Sequence, residues 1–269
     1  MTLMRAERPS LVAMDLDGTL LRSDMSISPR TAAALERIEK AGSRFVFVTG
    51  RPPRYAVIPL QPFGYQGQVI CANGALTYDM GSDSTSHEQL IPAGVLADAA
   101  ARLRRAIPDL GIAIEYPDGH VRDRHYEVGA WRNSEPVPWA PDEQLFARDA
   151  VKLLARHPTL SADDLVALAT PAVGELVTVY NSGGLRLLEA SAMGVSKGAA
   201  LAALAGRLGI EAADVVAFGD MINDLSMLAW AGTSYGMANA HPDVLALADH
   251  VIPGNDDDGV ATVIEQLFP

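Results

Sequence analysis

A chain of 269 residues with 49% hydrophobic side chains is long enough for one large domain or for a core with an insert, and too apolar for wholesale disorder. The formal charge of −12, without any long Lys/Arg run, argues against nonspecific nucleic-acid binding and an anionic membrane surface. The single cysteine, Cys71, excludes an intrachain disulfide, and no stretch approaches the roughly 18–20 apolar residues of a membrane span. Residues 1–10 lack the apolar run of a secretion signal, so a cytoplasmic setting is expected.

Residues 11–14 form a short apolar burst that ends at Asp15. Ser28-Pro29 then supplies a helix cap and first residue, with Ala34, Leu35, Ile38 and Ala41 on one face and Gly42 as the stop. Two further bursts, 45–48 and 69–71, end at Thr49 and just before Asn73. Short apolar runs alternating with helices predict the buried strands of a parallel sheet.

The rhythm changes after residue 75. Residues 75–78 and 88–91 are expected to be a pair of connecting strands. A helix near 93–107 and strands near 112–116 and 120–124 follow, then an irregular excursion over 127–141 with Trp131, Trp139 and three prolines. Residues 151–156 suit either a helix or a strand. A helix over 161–169 and a hairpin of 176–180 with 185–188 close this block. The first rhythm then returns: a helix from 196 to 208 stopped by Gly209, a strand at 215–218 ending in Gly219-Asp220, and a helix over 223–231. Pro242 opens a short helix, and 259–268 forms the last, with Val260, Ile264 and Leu267 inward. An α+β block flanked by α/β segments predicts one domain inserted into another. The expected fold is therefore an α/β, Rossmann-like parallel-sheet core of residues 1–76 and 191–269, carrying an inserted α+β cap at 77–190.

Chemistry gathers at the strand ends. In an open parallel sheet, ligands bind beyond the carboxyl ends of the strands, where Asp15 and Asp17 stand. Two carboxylates two residues apart can share a hard cation, and Gly18 lets the chain turn with N–H groups exposed to phosphate. A bare D-x-D is commonly just an acidic turn, and an EF-hand loop is excluded by the missing later acids. The company of these residues decides. Thr49-Gly50-Arg51 offers a hydroxyl and N–H groups at the second strand end. Lys197 stands at a helix start, where the helix dipole does not favour a cation. Residues 219–224, Gly-Asp-Met-Ile-Asn-Asp, add two carboxylates and an amide. The six histidines show no paired metal spacing, and neither a G-x-G-x-x-G nor a P-loop is present.

The order DLDGTLL at 15–21, VTGR at 48–51, ANGA at 72–75, SKGAAL at 196–201 and GDMINDLSML at 219–228 resembles the haloacid dehalogenase (HAD) superfamily of phosphohydrolases. It is most similar to the Cof-type subfamily, which carries a large cap after the third strand; the closing NDDDGVA at 255–261 also resembles that subfamily's tail. The resemblance implies Asp15 as a nucleophile that forms an aspartyl phosphate, and Asp17 as the general acid and base. It implies Mg²⁺ held by the Asp15 carboxylate, the Asp17 backbone carbonyl and Asp220. Thr49 and Lys197 would hold phosphoryl oxygens with the N–H groups of Leu16 and Gly50. Asn223 would touch phosphate, and Asp224 would orient Lys197 or a metal-bound water. The implied substrate is a small phosphorylated metabolite, of sugar phosphate or pyridoxal phosphate type, with no nucleic-acid or membrane partner. Arg122, Arg124, Tyr126 and Trp131 are the cap's candidates for substrate contact. Two rivals share these motifs: a phosphomutase using the same aspartyl phosphate, and a ligand-sensing module, which the presence of both Asp17 and Lys197 disfavours.

Overall fold

Leu11–Met14 is buried at all four positions, as is every residue of Val215–Gly219, which fits strands covered on both faces. The structure, a computed structural model, describes residues 8–127, 137–181 and 186–269. In chain order the strands are β1 (Leu11–Met14), β2 (Arg44–Val48), β3 (Gln68–Cys71), β4 (Leu76–Asp79), β5 (Ser84–Glu88) and β6 (Gly111–Tyr116). They continue with β7 (Gly119–Arg122), β8 (Lys152–Arg156), β9 (Val177–Tyr180), β10 (Leu187–Ala192), β11 (Val215–Gly219), β12 (Thr233–Met237) and β13 (His250–Ile252). The chain divides into two compact units: residues up to His87 together with Ser196–Pro269, and Glu88–Val195. The divisions fall after His87 and Val195 rather than after residues 76 and 190.

In the first unit the sheet order is β13-β12-β11-β1-β2-β3-β4-β5. β13 through β3 run parallel, and β4 turns back antiparallel on β3. The chain leaves β1 towards β2 and β3 on one side and later returns to β11 on the other. That reversal between adjacent strands is where open α/β sheets bind ligands. The helix Pro29–Lys40 begins where Ser28 accepts a bond from the Thr31 N–H, and buries Ala34, Leu35 and Ile38. Ser196 caps the helix Lys197–Leu208 in the same way, and Gly209 ends it in the left-handed conformation. Phe45, Phe47 and Tyr65 form an aromatic cluster with ring centroids 4.8–5.5 Å apart.

Three differences from expectation have plain causes. The second connecting strand is Ser84–Glu88, not 88–91; it is an exposed edge strand with no apolar run to reveal it, while Ile91 bridges to Ala150. β12 and β13 were not anticipated, because a Gly- and Ser-containing strand and a three-residue one carry little apolar signal. The helix Pro53–Leu60 was hidden by Pro52, Pro53 and Pro59.

The second unit is an antiparallel sheet of order β7-β6-β8-β10-β9, with the helices Ala93–Ala106 and Ala162–Val173 packed on each other. Residues 151–156 thus resolve as a strand, β8. The register places Ile112, Ile114, Leu153, Ala155, Leu188 and Ala190 on one face and Glu115, Lys152 and Glu189 on the other. Among the described residues, no helix is long and apolar enough to cross a membrane.

Candidate active site

Asp15 follows β1, and its N–H donates to the Phe218 carbonyl of β11 (3.1 Å), so the sheet ladder itself sets its place. The chain then folds back tightly, with the Leu20 N–H donating to the Asp15 carbonyl and the Leu21 N–H to that of Leu16. Gly18 makes this possible in two ways. Its φ is +76°, and a Cβ there would lie 2.3 Å from Asp220 Oδ2. The loop is therefore pressed against the end of β11, where Thr19 Oγ1 donates to Asp220 Oδ1 at 2.9 Å.

Lys197 is buried at the start of its helix, and Nζ donates to Asp15 Oδ1 (2.6 Å) and Asp224 Oδ1 (2.5 Å). The second oxygen of Asp224 accepts the N–H groups of Asp220 and Met221, each at 3.0 Å. Asp224 is thus committed to Lys197 and to its own loop. Asp15, Asp220 and Asp224 have carboxylate oxygens within 4.8 Å of one another. Three carboxylates stand against one ammonium. Burial first, then the charge of Asp224, raises Asp15 well above the usual carboxylate range; the same two causes push Asp220 up to about 7. Burial alone would lower Lys197, yet Asp15 and Asp224 outweigh it and hold the ammonium above its ordinary value. The negative charge of Asp220 adds to the rise of Asp15. A divalent cation held by these oxygens would relieve their mutual repulsion. The cluster's donors are all oxygen, which suits a hard ion such as Mg²⁺.

Asp17 stands apart from this cluster. Its carboxylate receives Arg51 in a two-pronged grip, Nε to Oδ2 at 2.7 Å and Nη2 to Oδ1 at 2.5 Å. Arg51 also donates to the Tyr55 carbonyl at 3.2 Å. Thr49 is buried after β2; its hydroxyl accepts the Arg51 N–H at 3.1 Å and its N–H donates to Ile70 of β3. Asn223 Nδ2 donates to Asn73 Oδ1 at 2.9 Å, and a Cβ on Gly50 would lie 3.2 Å from that Asn73 oxygen. Asp15, Leu16, Thr49, Gly50, Asp220, Asn223 and Asp224 therefore belong to one group of loops at the carboxyl ends of β1, β2 and β11, and the helix start that carries Lys197 meets them through Asp15 and Asp224.

The cap candidates are engaged within their own unit. Arg122 donates to the Val137 and Asp123 carbonyls, both at 3.1 Å. Arg124 lies over the Trp139 ring at 4.6 Å. Tyr126 is buried beside Arg156, and burial raises its hydroxyl. Trp131 lies outside the described residues.

Several contributors had no assigned role in the sequence. Arg51 and Asn73 lay inside the VTGR and ANGA motifs, but nothing in spacing alone says which side chain an arginine or asparagine will meet. The tail resembles the subfamily's, but its contacts do not follow from the sequence: Asn239 Nδ2 donates to the Gly18 carbonyl and Asn255 Nδ2 to that of Leu21, both at 2.8 Å. Asp256 accepts the N–H and hydroxyl of Ser23, and Asp258 pairs with Arg22 at 2.8 Å. The closing acidic run fastens the loop that follows Asp15.

The profile of the haloacid dehalogenase-like hydrolase family matches residues 12–264. The chain is 31% identical to the HMP-PP phosphatase of Cronobacter sakazakii over 90% of this chain and 88% of that protein. It is 29% identical to the pyridoxal phosphate phosphatase of Escherichia coli over 94% and 97%. A solved haloacid dehalogenase-like hydrolase from B. subtilis superposes with a TM-score of 0.81 at 25% identity, covering 96% of this chain and 99% of that one. The chain belongs to the haloacid dehalogenase-like hydrolases, as an enzyme of their Cof-type phosphatase branch.

Proposed function

We propose that this enzyme is a Mg²⁺-dependent phosphomonoester hydrolase that acts on a small phosphorylated metabolite through an aspartyl phosphate on Asp15. The observation that carries the reading is the buried Asp15 carboxylate, held by Lys197 at 2.6 Å where the strand order of the parallel sheet reverses. An oxygen of Asp15 attacks phosphorus while the ester P–O bond breaks, and the leaving oxygen takes a proton from Asp17. Water then attacks phosphorus with Asp17 accepting its proton; the acyl–phosphate bond breaks, inorganic phosphate departs and the Asp15 carboxylate returns. Arg51 grips both Asp17 oxygens here and must release at least one of them before Asp17 can carry a proton to the leaving group. Thr49, Lys197 and the N–H groups of Leu16 and Gly50 receive the phosphoryl oxygens, and Asn223 contributes its amide. Asp15 and Asp220, with the Asp17 backbone carbonyl, would hold Mg²⁺, which when bound offsets the excess carboxylate charge and polarises the phosphoryl group.

The substrate is a monoester of sugar phosphate or pyridoxal phosphate type, and the inserted cap selects it. Support comes from the relatives, whose names give HMP-PP and pyridoxal phosphate. The lone cysteine supports a cytoplasmic setting. Steady-state release of inorganic phosphate from p-nitrophenyl phosphate and from a panel of phosphorylated metabolites tests the proposal. The wild type should release phosphate with Mg²⁺ and lose that activity on chelation, and Asp15→Asn should be inactive while folded. Full activity after exhaustive chelation, or substantial turnover by Asp15→Asn, would overturn it. Phosphate returned to the substrate, rather than released, would make the enzyme a mutase.

A further inference from the structure

We infer that Asn73 is a positioning residue for the phosphate subsite, acting through Asn223 and Thr49; this rests on the phosphatase reading above. The turn that carries it has an uncommon backbone. Ala72, Asn73 and Gly74 have φ of +52°, +58° and +106°, so three consecutive residues occupy the positive-φ region, two of them without glycine's freedom. Such a conformation costs on the order of 1–3 kcal/mol per residue and persists only where the surroundings dictate it.

The surroundings are the other phosphate-side loops. The Ala72 N–H donates to the Arg51 carbonyl and the Asn73 N–H to the Thr49 carbonyl, both at 2.9 Å. These two bonds fix the 49–51 loop from behind. A Cβ on Gly74 would lie 2.5 Å from the Ser196 carbonyl, so the turn also abuts the residue before Lys197. The Asn73 side chain is buried, and its Oδ1 accepts from Asn223 Nδ2 at 2.9 Å, 150 residues away in the chain. An amide nitrogen carries two hydrogens. One is given to Asn73, which sets the rotation of the Asn223 amide and leaves the second for a phosphoryl oxygen. Among the described residues, Asn223 Oδ1 is buried without a partner, and the Asn73 contact holds the amide in this orientation. One short turn therefore joins the Thr49 loop, the Lys197 helix start and the Asn223 loop, and Asn73 is the member that reaches an amide of the subsite.

The test compares Asn73→Gly, Asn73→Ala, Asn223→Ala and the double variant Asn73→Gly/Asn223→Ala in the full chain with Mg²⁺. The readouts are the inhibition constant of inorganic phosphate, KM and kcat for p-nitrophenyl phosphate, and the melting temperature. Glycine takes up the left-handed backbone freely and alanine only at an energetic cost, so the two Asn73 variants separate the lost amide from added strain. Expected is an increase of about tenfold in the phosphate inhibition constant for Asn73→Gly, the worth of one oriented hydrogen bond. Asn73→Ala should show the same increase despite a lower melting temperature, and the double variant should be no worse than Asn223→Ala alone. A role confined to stability would make the inhibition constant follow the melting temperature. The inference is overturned if Asn73→Gly binds phosphate as the wild type does while Asn223→Ala binds it weakly, or if the two effects multiply in the double variant. A wild type that neither hydrolyses monoesters nor binds phosphate would instead refute the phosphatase reading itself, and the inference with it.

Discussion

Lys197 in the first unit and Lys152 in the second are both withdrawn from solvent, at 1% and 3% exposure, yet their surroundings differ in kind. Burial penalises each ammonium, and neighbouring carboxylates more than restore it: Asp15 and Asp224 for Lys197, Glu189 foremost for Lys152. Lys152 opens a strand, opposite Glu115 in the ladder, and its Nζ donates to Glu189 Oε2 at 2.6 Å. Both groups project from one face of a sheet whose register is fixed by its neighbours. Lys197 opens a helix instead, and faces three carboxylates brought by the two loops at the carboxyl ends of β1 and β11. In that cluster one ammonium leaves negative charge unbalanced. On the proposed reading, burial alone does not mark a functional lysine; the charge imbalance around it and its place at the strand ends do.

The largest effect that would sharpen this contrast is on turnover. Lys197→Met should lower kcat by roughly 10²–10³, the usual loss when a charge-stabilising donor is removed from a transition state. Steady-state kinetics at saturating Mg²⁺ measure it. Turnover within a few-fold of the wild type would place Lys197 on the same footing as Lys152.

Lys152→Met should act on stability. Breaking a buried ion pair by removing one partner costs about 3–5 kcal/mol, because the other charge is left without compensation. Urea unfolding should show that loss, while kcat for p-nitrophenyl phosphate below the transition stays unchanged. An altered ranking of substrates with unaltered stability would break the comparison from the other side and make Lys152 a ligand-binding residue.

The unequal legibility of the two lysines has a physical origin. Lys197 could be found because a cation at a helix N-terminus contradicts the helix dipole, and because Asp15, Thr49 and Asp220 each end an apolar burst. The parallel core was readable for the same reason: β1, β2, β3 and β11 are buried on both faces and appear as unbroken apolar runs. Lys152 could not be found. Its polar-face partners lie 37 residues away in Glu189 and across the ladder in Glu115, and pairings at such separation exist only once the register is set. β8 itself, with Lys152 and Arg156 at its ends, gave no decision between helix and strand. Arg51 and Asn73 stand between these cases: their motifs were visible, but the side chains they meet, Asp17 and Asn223, depend on how loops close in space.

The smallest effect is in the pH dependence of stability, and it requires the pair to be removed whole. Lys152→Met with Glu189→Leu replaces both charges by apolar groups of similar size, a change that is often neutral or stabilising, so this variant should recover the loss seen for Lys152→Met alone. It also isolates the lysine's titration. Glu189 and its neighbours hold Lys152 above its ordinary value of 10.5, so the folded state binds this proton more tightly than the unfolded chain does. The resulting stability is fully present below pH 10.5 and falls as pH rises from there through the folded value. Lys197 shifts in the same direction and contributes a decline of the same sign to both proteins, so the comparison must be between them rather than within one. Above pH 10.5 the wild type should lose stability more steeply than the double variant, by no more than about 1.4 kcal/mol per pH unit, the limit for a single proton. Urea midpoints taken at steps from neutral to strongly alkaline pH would show the two curves parallel at first and diverging thereafter, the wild type falling below the double variant. Curves that stay parallel throughout would mean that the Lys152 proton is held no more tightly in the fold than out of it, and the second lysine would then owe its place to packing rather than to its pair.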